Sequence, residues 1–385
     1  MLIQIDEARS IIDGLKLAPA KAKPMDVVSA IGKILSHDVY ALMDTPSRDV
    51  SAMDGFAFRI DDLQREGRLR VVGKLYPFQK NPPELGKNEA YYVTTGAPIP
   101  IGADVVARIE YTRLDDDILT VNGPISKFKD IRFRGEDVKR GQLLIPKGTL
   151  LTPYHLAVLI QQGISEVEVV DVSFCIFGNG DEVVAWGDHG DGIPDSISPV
   201  FMKLLERFGT VHYQGVAKDD LDDVKKMLSR CLSYDFIISI GGSSVGEKDF
   251  VKRAISDMGK LLFEGVSTNV IKRGGLGIIL GKPVLVLPGQ IVSAITSFHE
   301  HGLHLLSRMV GVELREFVRV HLGLSLQVDH KMDTTYLVRI EGDRAVPLRW
   351  GVGLYSELSK ASGFTILKRG RSYVEGEEII VQRFL

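Results

Sequence analysis

The sequence predicts a multidomain α/β protein: a parallel α/β/α sheet domain bearing a ligand turn, a helical linker domain with an inserted small β-rich domain, and a C-terminal β barrel. Three observations predict this. At 385 residues the chain exceeds one ordinary core, so about two to four domains are expected. From residue 171 onward, short apolar runs alternate with helical patterns, as in a parallel sheet covered by helices on both faces. From Leu69 to Val121, and again after residue 311, short β-like runs alternate with turns rich in Pro and Gly.

The elements follow in order. Residues 26–36 place Val27, Val28, Ile31, Ile34 and Leu35 on one helical face. Leu69-Arg70-Val71-Val72 and Tyr91-Tyr92-Val93 read as strands, and residues 141–163 turn helical again. Residues 1–45 with 141–170 then form a linker domain, and 46–140 are its β-rich insertion. In the α/β domain, 171–310, the strands expected are Ser173–Phe177, Val211–Tyr213, Phe236–Ile240 and Val284–Leu287. The helices expected there are 198–208, 220–232, 249–258 and 291–308. Alternation returns in 311–385 at Val318–Leu322, Thr335–Ile340 and Glu378–Val381.

Composition narrows the function. Hydrophobic content of 44% and charged content of 25% are those of a globular protein. A net charge of −3 gives no electrostatic case for a nucleic-acid partner. No apolar run reaches the ~18 residues of a membrane span. The N-terminus MLIQIDEARS carries acids where a signal peptide needs bases, so a cytoplasmic protein is expected. Cys175 and Cys231 lie in apolar stretches and read as reduced core thiols, with a disulfide or a metal pair as the alternative.

The most informative stretch is GGSSVGEKDF, Gly241–Phe250, between the Phe236–Ile240 run and a helix. Gly241 and Gly242 allow close backbone approach, and Ser243, Ser244 and Gly246 continue an anion-binding turn at a helix N-terminus. Glu247 and Asp249 add carboxylates, which points to a phosphorylated ligand with a divalent cation. Four other segments combine turn residues and charge: Ser51–Ala57, Thr94–Pro100 with Gly102-Ala103-Asp104 and Glu110, Ile131–Asp137, and Gly178–Glu182. Taken singly, each reads as ordinary turn chemistry, and Arg132 and Arg134 beside Glu136 and Asp137 as a surface ion pair.

Together, in this order, they resemble the molybdopterin molybdenumtransferase family, which includes the E domain of gephyrin. The chain reads SAMDGFA, TGAPIP, RFRGED, GDEV and IGGSSVGEKD where that family reads SAMDGYA, TGAPVP, R-x-R-GED, GDEL and SGGVSVGE-x-D. The resemblance spans roughly residues 5 to 385. It implies insertion of molybdate, or tungstate, into adenylylated molybdopterin (molybdopterin-AMP) with release of AMP and the help of Mg²⁺. It implies a homodimer with a composite interface site, supplied by a molybdopterin-adenylylating protein. Residue by residue, it makes Asp54, Glu182, Asp249 and Asp137 candidate catalytic carboxylates, and Asp249, Glu182 and Asp219 candidate metal ligands. Arg132 and Lys272 match oxyanion-binding positions, and Thr95, Pro288 and Gly289 ligand-binding ones.

The departures cluster at the expected ligand. The family's PGNP is Pro288-Gly289-Gln290-Ile291, and its KPGKP is Lys272-Arg273-Gly274-Gly275-Leu276. Its DSN is Asp195-Ser196-Ile197, and its QGS is Trp350-Gly351-Val352. A paralogue that binds pterin or nucleotide without transfer is the alternative reading. Other chemistries are weaker: no G-x-S-x-G elbow exists, and Phe298-His299-Glu300-His301-Gly302-Leu303-His304 lacks HExxH zinc spacing and reads as a helix surface or dimer contact.

Overall fold

A computed structural model describes residues 2–242 and 249–385. Ser243, Ser244, Gly246 and Glu247 therefore lie outside the described residues. The protein is a multidomain α/β chain with mixed sheets and a closed C-terminal barrel. It divides into two compact units. The larger contains Met1–His37, Pro146–Leu156 and Ser165–Leu385, and the smaller Asp38–Ile145 with Ala157–Ile164.

The larger unit is organised by a seven-stranded sheet. Its spine is the long strand Glu166–Asn179. The first half of that strand pairs antiparallel with Lys21–Asp26. The second half pairs parallel with Gly209–Ala217 and with Phe236–Gly241, and the latter pairs parallel with Lys282–Leu287. Gly275–Ile279 and Lys260–Phe263 complete the sheet as antiparallel strands.

Only the second half of the spine is buried on both faces, from Phe174 onward, where its sequence becomes apolar; the first half alternates exposed and buried residues. Phe174 and Ile176 pack in one core with Phe201, Leu205 and Phe298. Cys175 and Phe177 pack in the other with Val224, Leu228, Val251 and Ile255. The helices start where sequence chemistry puts them. Asp220 caps Leu221–Cys231 by accepting from the amides of Asp222 and Asp223. Asp249 caps Phe250–Met258 through the amide of Lys252. The strands Phe317–Leu322, Arg344–Pro347, Thr334–Glu341, Gly363–Leu367 and Glu378–Arg383 close the barrel.

The smaller unit is built on a six-stranded sheet ordered Val105–Arg108, Gly55–Phe58, Glu89–Val93, Leu69–Leu75, Ile118–Val121, Thr112–Asp115. Phe56, Phe58, Leu69, Val105 and Leu119 form its core.

Four expectations are corrected. Residues 26–36 are not a helix: Asp26 Oδ1 accepts from the amides of Val28 and Ser29, closing a turn. Ile34 and Leu35 then bridge to Leu150 and Val169. Residues 141–163 begin with the strand Leu143–Ile145, and the helix covers only Pro153–Gln161. Cys175 and Cys231 form a disulfide, with Cα atoms 5.5 Å apart across a sequence separation of 56. The last turn of one helix meets the sheet spine there, a proximity no local pattern carries. Finally, His299, Glu300 and His301 are buried, not a helix surface. Their π-helical turn, Phe298–Gly302, continues the helix Ile291–Ser297 into Leu303–Val310.

Candidate functional site

The parallel strands of the larger unit all end at one side of the sheet, where ligands bind in such folds. A cavity of about 570 Å³ opens there. Gly178 and Asn179, Ile240 to Gly242, and Pro288 to Gln290 supply its floor, each from the end of a different strand. Glu182, Lys272 and Arg273 line it as well.

Gly241 and Gly242 have φ of 89° and 65°, which disfavours any residue with a Cβ. A Cβ on Gly241 would stand 2.6 Å from the Asn179 carbonyl oxygen, and one on Gly242 2.3 Å from Asn179 Nδ2. The glycines thus let two strand ends touch and leave backbone facing the cavity. Asn179 is 3% exposed; its Nδ2 donates to Asp219 at 3.3 Å, and its Oδ1 has no partner among the described residues.

Charge in the cavity is unbalanced. Among the described residues no carboxylate pairs with Lys272 or Arg273, so both cations are open to an anion. Glu182 is exposed, and among the described residues no group bonds its carboxylate. Asp249 differs. Its Oδ2 lies 2.8 Å from Lys252 Nζ and its Oδ1 accepts from the Lys252 amide at 3.3 Å. Burial pushes its carboxyl up, against the pull of Lys252. Lys252 also occupies the space beside Gly275: a Cβ there would meet Lys252 Cε at 3.3 Å. A cation from a neighbouring helix stands next to the position where the family carries a second lysine.

One wall is a buried network around Asp195, which is 5% exposed. Its carboxylate accepts from the amides of Ile197 and Ser198, from Ser198 Oγ at 2.5 Å and from Tyr213 Oη at 2.9 Å. Tyr213 is correspondingly harder to ionise, through burial first and Asp195 second. The network fixes the Asp195–Ile197 segment, whose Ile197 and Ser196 line the cavity. The C-terminal region adds Trp350, Val352 and Tyr355 to the lining, with Tyr355 adjoining this wall at Ser196.

The other candidates lie in the smaller unit. Asp54 Oδ1 accepts from the Thr95 amide at 2.6 Å and from Thr95 Oγ1 at 2.9 Å. Those two bonds hold the exposed carboxyl below its usual range. The SAMDGFA and TGAPIP turns are therefore one structure. Arg132, paired in strand with Val50, has its Nε 3.7 Å from Glu136 Oε1. Arg134 instead holds Asp44, at 2.5 Å. Asp137 is exposed, and its amide donates to the Thr45 carbonyl at 3.0 Å.

The fit of Mg²⁺ follows from these placements. Among the described residues no three His, Cys, Asp or Glu side chains converge on a metal position. Asp249 is closed by Lys252, and Asp219 is engaged by Asn179. Glu182 alone of the three offers an unengaged carboxylate in the cavity, which suits an ion that reaches the protein already bound to phosphates. Asn179, Trp350 and Tyr355 were not assigned to the site from sequence. Asn179 sits inside the GNGDE turn that marked Glu182, but Tyr355 carries no local signal.

Comparison with known proteins agrees with this layout. Residues 3–163 match the family described as "MoeA N-terminal region (domain I and II)". Residues 175–308 match the one described as "Probable molybdopterin binding domain". The molybdopterin molybdenumtransferase of Haemophilus influenzae is 31% identical over 319 residues, 80% of this chain and 78% of that protein. The enzyme of the same name from Staphylococcus aureus is 31% identical over 70% of this chain and 67% of its own length. The crystal structure of a molybdopterin biosynthesis moeA protein from Pyrococcus horikosii superposes with a TM-score of 0.83 over 100% of both chains, at 27% identity. Among the described residues no helix is long and apolar enough to cross a membrane. The chain belongs to the MoeA family of molybdopterin molybdenumtransferase homologues and works in molybdenum cofactor biosynthesis as a molybdopterin-binding protein.

Proposed function

We propose that the chain inserts molybdate or tungstate into adenylylated molybdopterin and releases AMP. The observation that carries this is the pair of cations Lys272 and Arg273, without a carboxylate partner among the described residues, in one cavity with the glycine-lined strand ends. Backbone at Gly241 and Gly242 accommodates phosphate, and Lys272 and Arg273 stabilise negative charge as the oxyanion approaches and AMP departs. Glu182 would hold Mg²⁺, which supplies charge neutralisation at phosphate oxygens. Asp249 is held by Lys252 and positions the first turn of its helix. Asp54 with Thr95, Arg132 and Asp137 form the second set of groups, expected from the family to serve the same reaction.

The homodimer and delivery of the pterin by an adenylylating protein belong to the same proposal, supported by the family resemblance. Light scattering at sub-micromolar concentration reads the first: a monomer removes it. The reaction is tested by incubating the full chain with adenylylated molybdopterin, Mg²⁺ and either oxyanion while following AMP release. Release with one oxyanion supports transfer and names the anion. Tight binding without release with either one supports the non-transferring paralogue. The aliphatic Ile197 and Val352, which line the cavity where the family has polar side chains, favour that second reading.

A further inference from the structure

We propose that Trp350 and Tyr355 form a stacking wall for the planar heterocycle of a phosphorylated ligand, so that the cavity selects ring-bearing phosphates over phosphate alone. This rests on the transferase-family reading of the cavity and assigns a ligand subsite to side chains that reading leaves unused.

Three features carry it. First, both aromatic residues line the cavity yet remain 50% and 55% exposed, so their ring surface is open to a ligand rather than packed in a core. Second, the segment that bears them is docked in place. The Val292 amide donates to the Val352 carbonyl at 3.1 Å, and Tyr355 Oη is 2.9 Å from Ser196 Oγ. The rings are therefore presented by a fixed support, which keeps the entropic cost of ordering them on binding low. Third, the cavity is divided in character. Lys272, Arg273 and the Gly241–Gly242 backbone suit an anion, whereas Trp350, Tyr355, Ile193, Ile197 and Val352 give the same cavity aromatic and apolar lining. An oxyanion or free phosphate gains nothing from that apolar, aromatic surface, and it fills little of about 570 Å³. A flat heterocycle joined to a phosphate uses both parts: phosphate at the strand ends, ring against Trp350. Trp350 stands where the family resemblance places the first residue of the QGS segment.

The test compares AMP with ribose 5-phosphate, which keeps the phosphate and lacks the base, and adds a pterin monophosphate as a second ring. Titrations use the full chain carrying Trp186→Phe, which leaves Trp350 as the sole indole fluorophore. AMP or the pterin phosphate is expected to quench Trp350 emission. In calorimetry, Trp350→Ala is expected to weaken the ring-bearing ligand by about tenfold or more, the range of one stacking contact. The affinity for ribose 5-phosphate stays within about twofold, and Trp350→Phe recovers most of the loss. Which ligand shows the differential identifies the ring as adenine or pterin. The wall is overturned if Trp350→Ala weakens ribose 5-phosphate equally, if it weakens neither ring-bearing ligand, or if the unsubstituted chain binds both no better than ribose 5-phosphate. Its failure is separable from that of the transfer reading. AMP release with no effect of Trp350→Ala removes the wall alone, and a ring-specific loss in a chain that releases no AMP removes the transfer alone.

Discussion

Two stretches of the larger unit look equally rich in polar chemistry: the strand-end turn from Gly241 to Asp249, and the helical run Phe298–His304 with its three histidines and a glutamate. In the fold the described residues around them differ: the helical run is sealed in the core, with Glu300 and His299 paired, although both His301 ring nitrogens and His304 Nδ1 have no partner among the described residues. At the strand ends Lys272 and Arg273 have no carboxylate partner among the described residues, and Asn179 Oδ1 is unpaired. In the helix Glu300 is gripped by Arg9 at 2.6 and 3.0 Å, and His304 Nε2 meets Asp13 at 2.8 Å. His299 Nδ1 donates to the Ile295 carbonyl at 2.8 Å while its Nε2 accepts from the Leu385 amide at 3.2 Å. The difference teaches that polar density is not a sign of function by itself. A group whose valence is satisfied inside the protein stabilises the fold, and one left open in a cavity is available to a ligand.

That contrast can be broken by substitution. The largest effect on stability is expected from Arg9→Met. It leaves Glu300, whose side chain is 1% exposed, as an uncompensated buried charge. Such changes cost about 3–5 kcal/mol. The double variant with Glu300→Gln should recover much of the loss in a denaturant titration; equal instability of single and double variants would refute the pairing. Lys272→Ala should do the reverse. AMP release is expected to fall about 100- to 1000-fold, the usual consequence of removing one charge-stabilising group, with an unchanged denaturation midpoint. A shifted midpoint would make Lys272 structural.

Two smaller effects concern the sealed interior. Reducing the Cys175–Cys231 bond, or Cys231→Ser, should lower stability by about 2–4 kcal/mol, because the cross-link closes a long loop in the unfolded chain. Denaturant midpoints with and without reductant measure this, and coincident curves would exclude it. The last prediction is a pH dependence. Burial pushes both His299 and His301 down to about 4 from an ordinary 6.5. Protons then bind the unfolded chain more readily, so this contribution is complete above pH 6.5 and is lost as pH falls toward 4. Each histidine adds a slope of about 1.4 kcal/mol per pH unit in that window. His301→Leu should flatten the slope; an unaltered profile would mean that His301 is protonated in the folded protein.

Much of this site was legible locally. The Phe236–Ile240 run is a central strand, and the two glycines after it adopt the positive φ that their identity allows. Asp220 and Asp249 are helix caps, as short acidic side chains before an apolar period are. The expected helix at 26–36 failed for a local reason as well: Asp26 bonds its own neighbours, and a turn outcompetes the apolar periodicity. The family resemblance makes Asp249 a candidate metal ligand, and the structure adds what sequence does not show: Lys252, three residues on, pairs with its carboxylate.

The sequence by itself determined the alternation of strands and helices, the glycine turn, the five motifs and hence the family, because each depends on the chemistry of adjacent residues. Tertiary structure alone decided the rest. It joined Cys175 to Cys231, set Glu300 against an arginine 291 residues away, and brought Trp350 and Tyr355 to the mouth of a cavity floored by Asn179 and Gly241. Whether a charged or aromatic side chain is neutralised, sealed or left open depends on which distant surface closes over it, and that is fixed only when the layers pack.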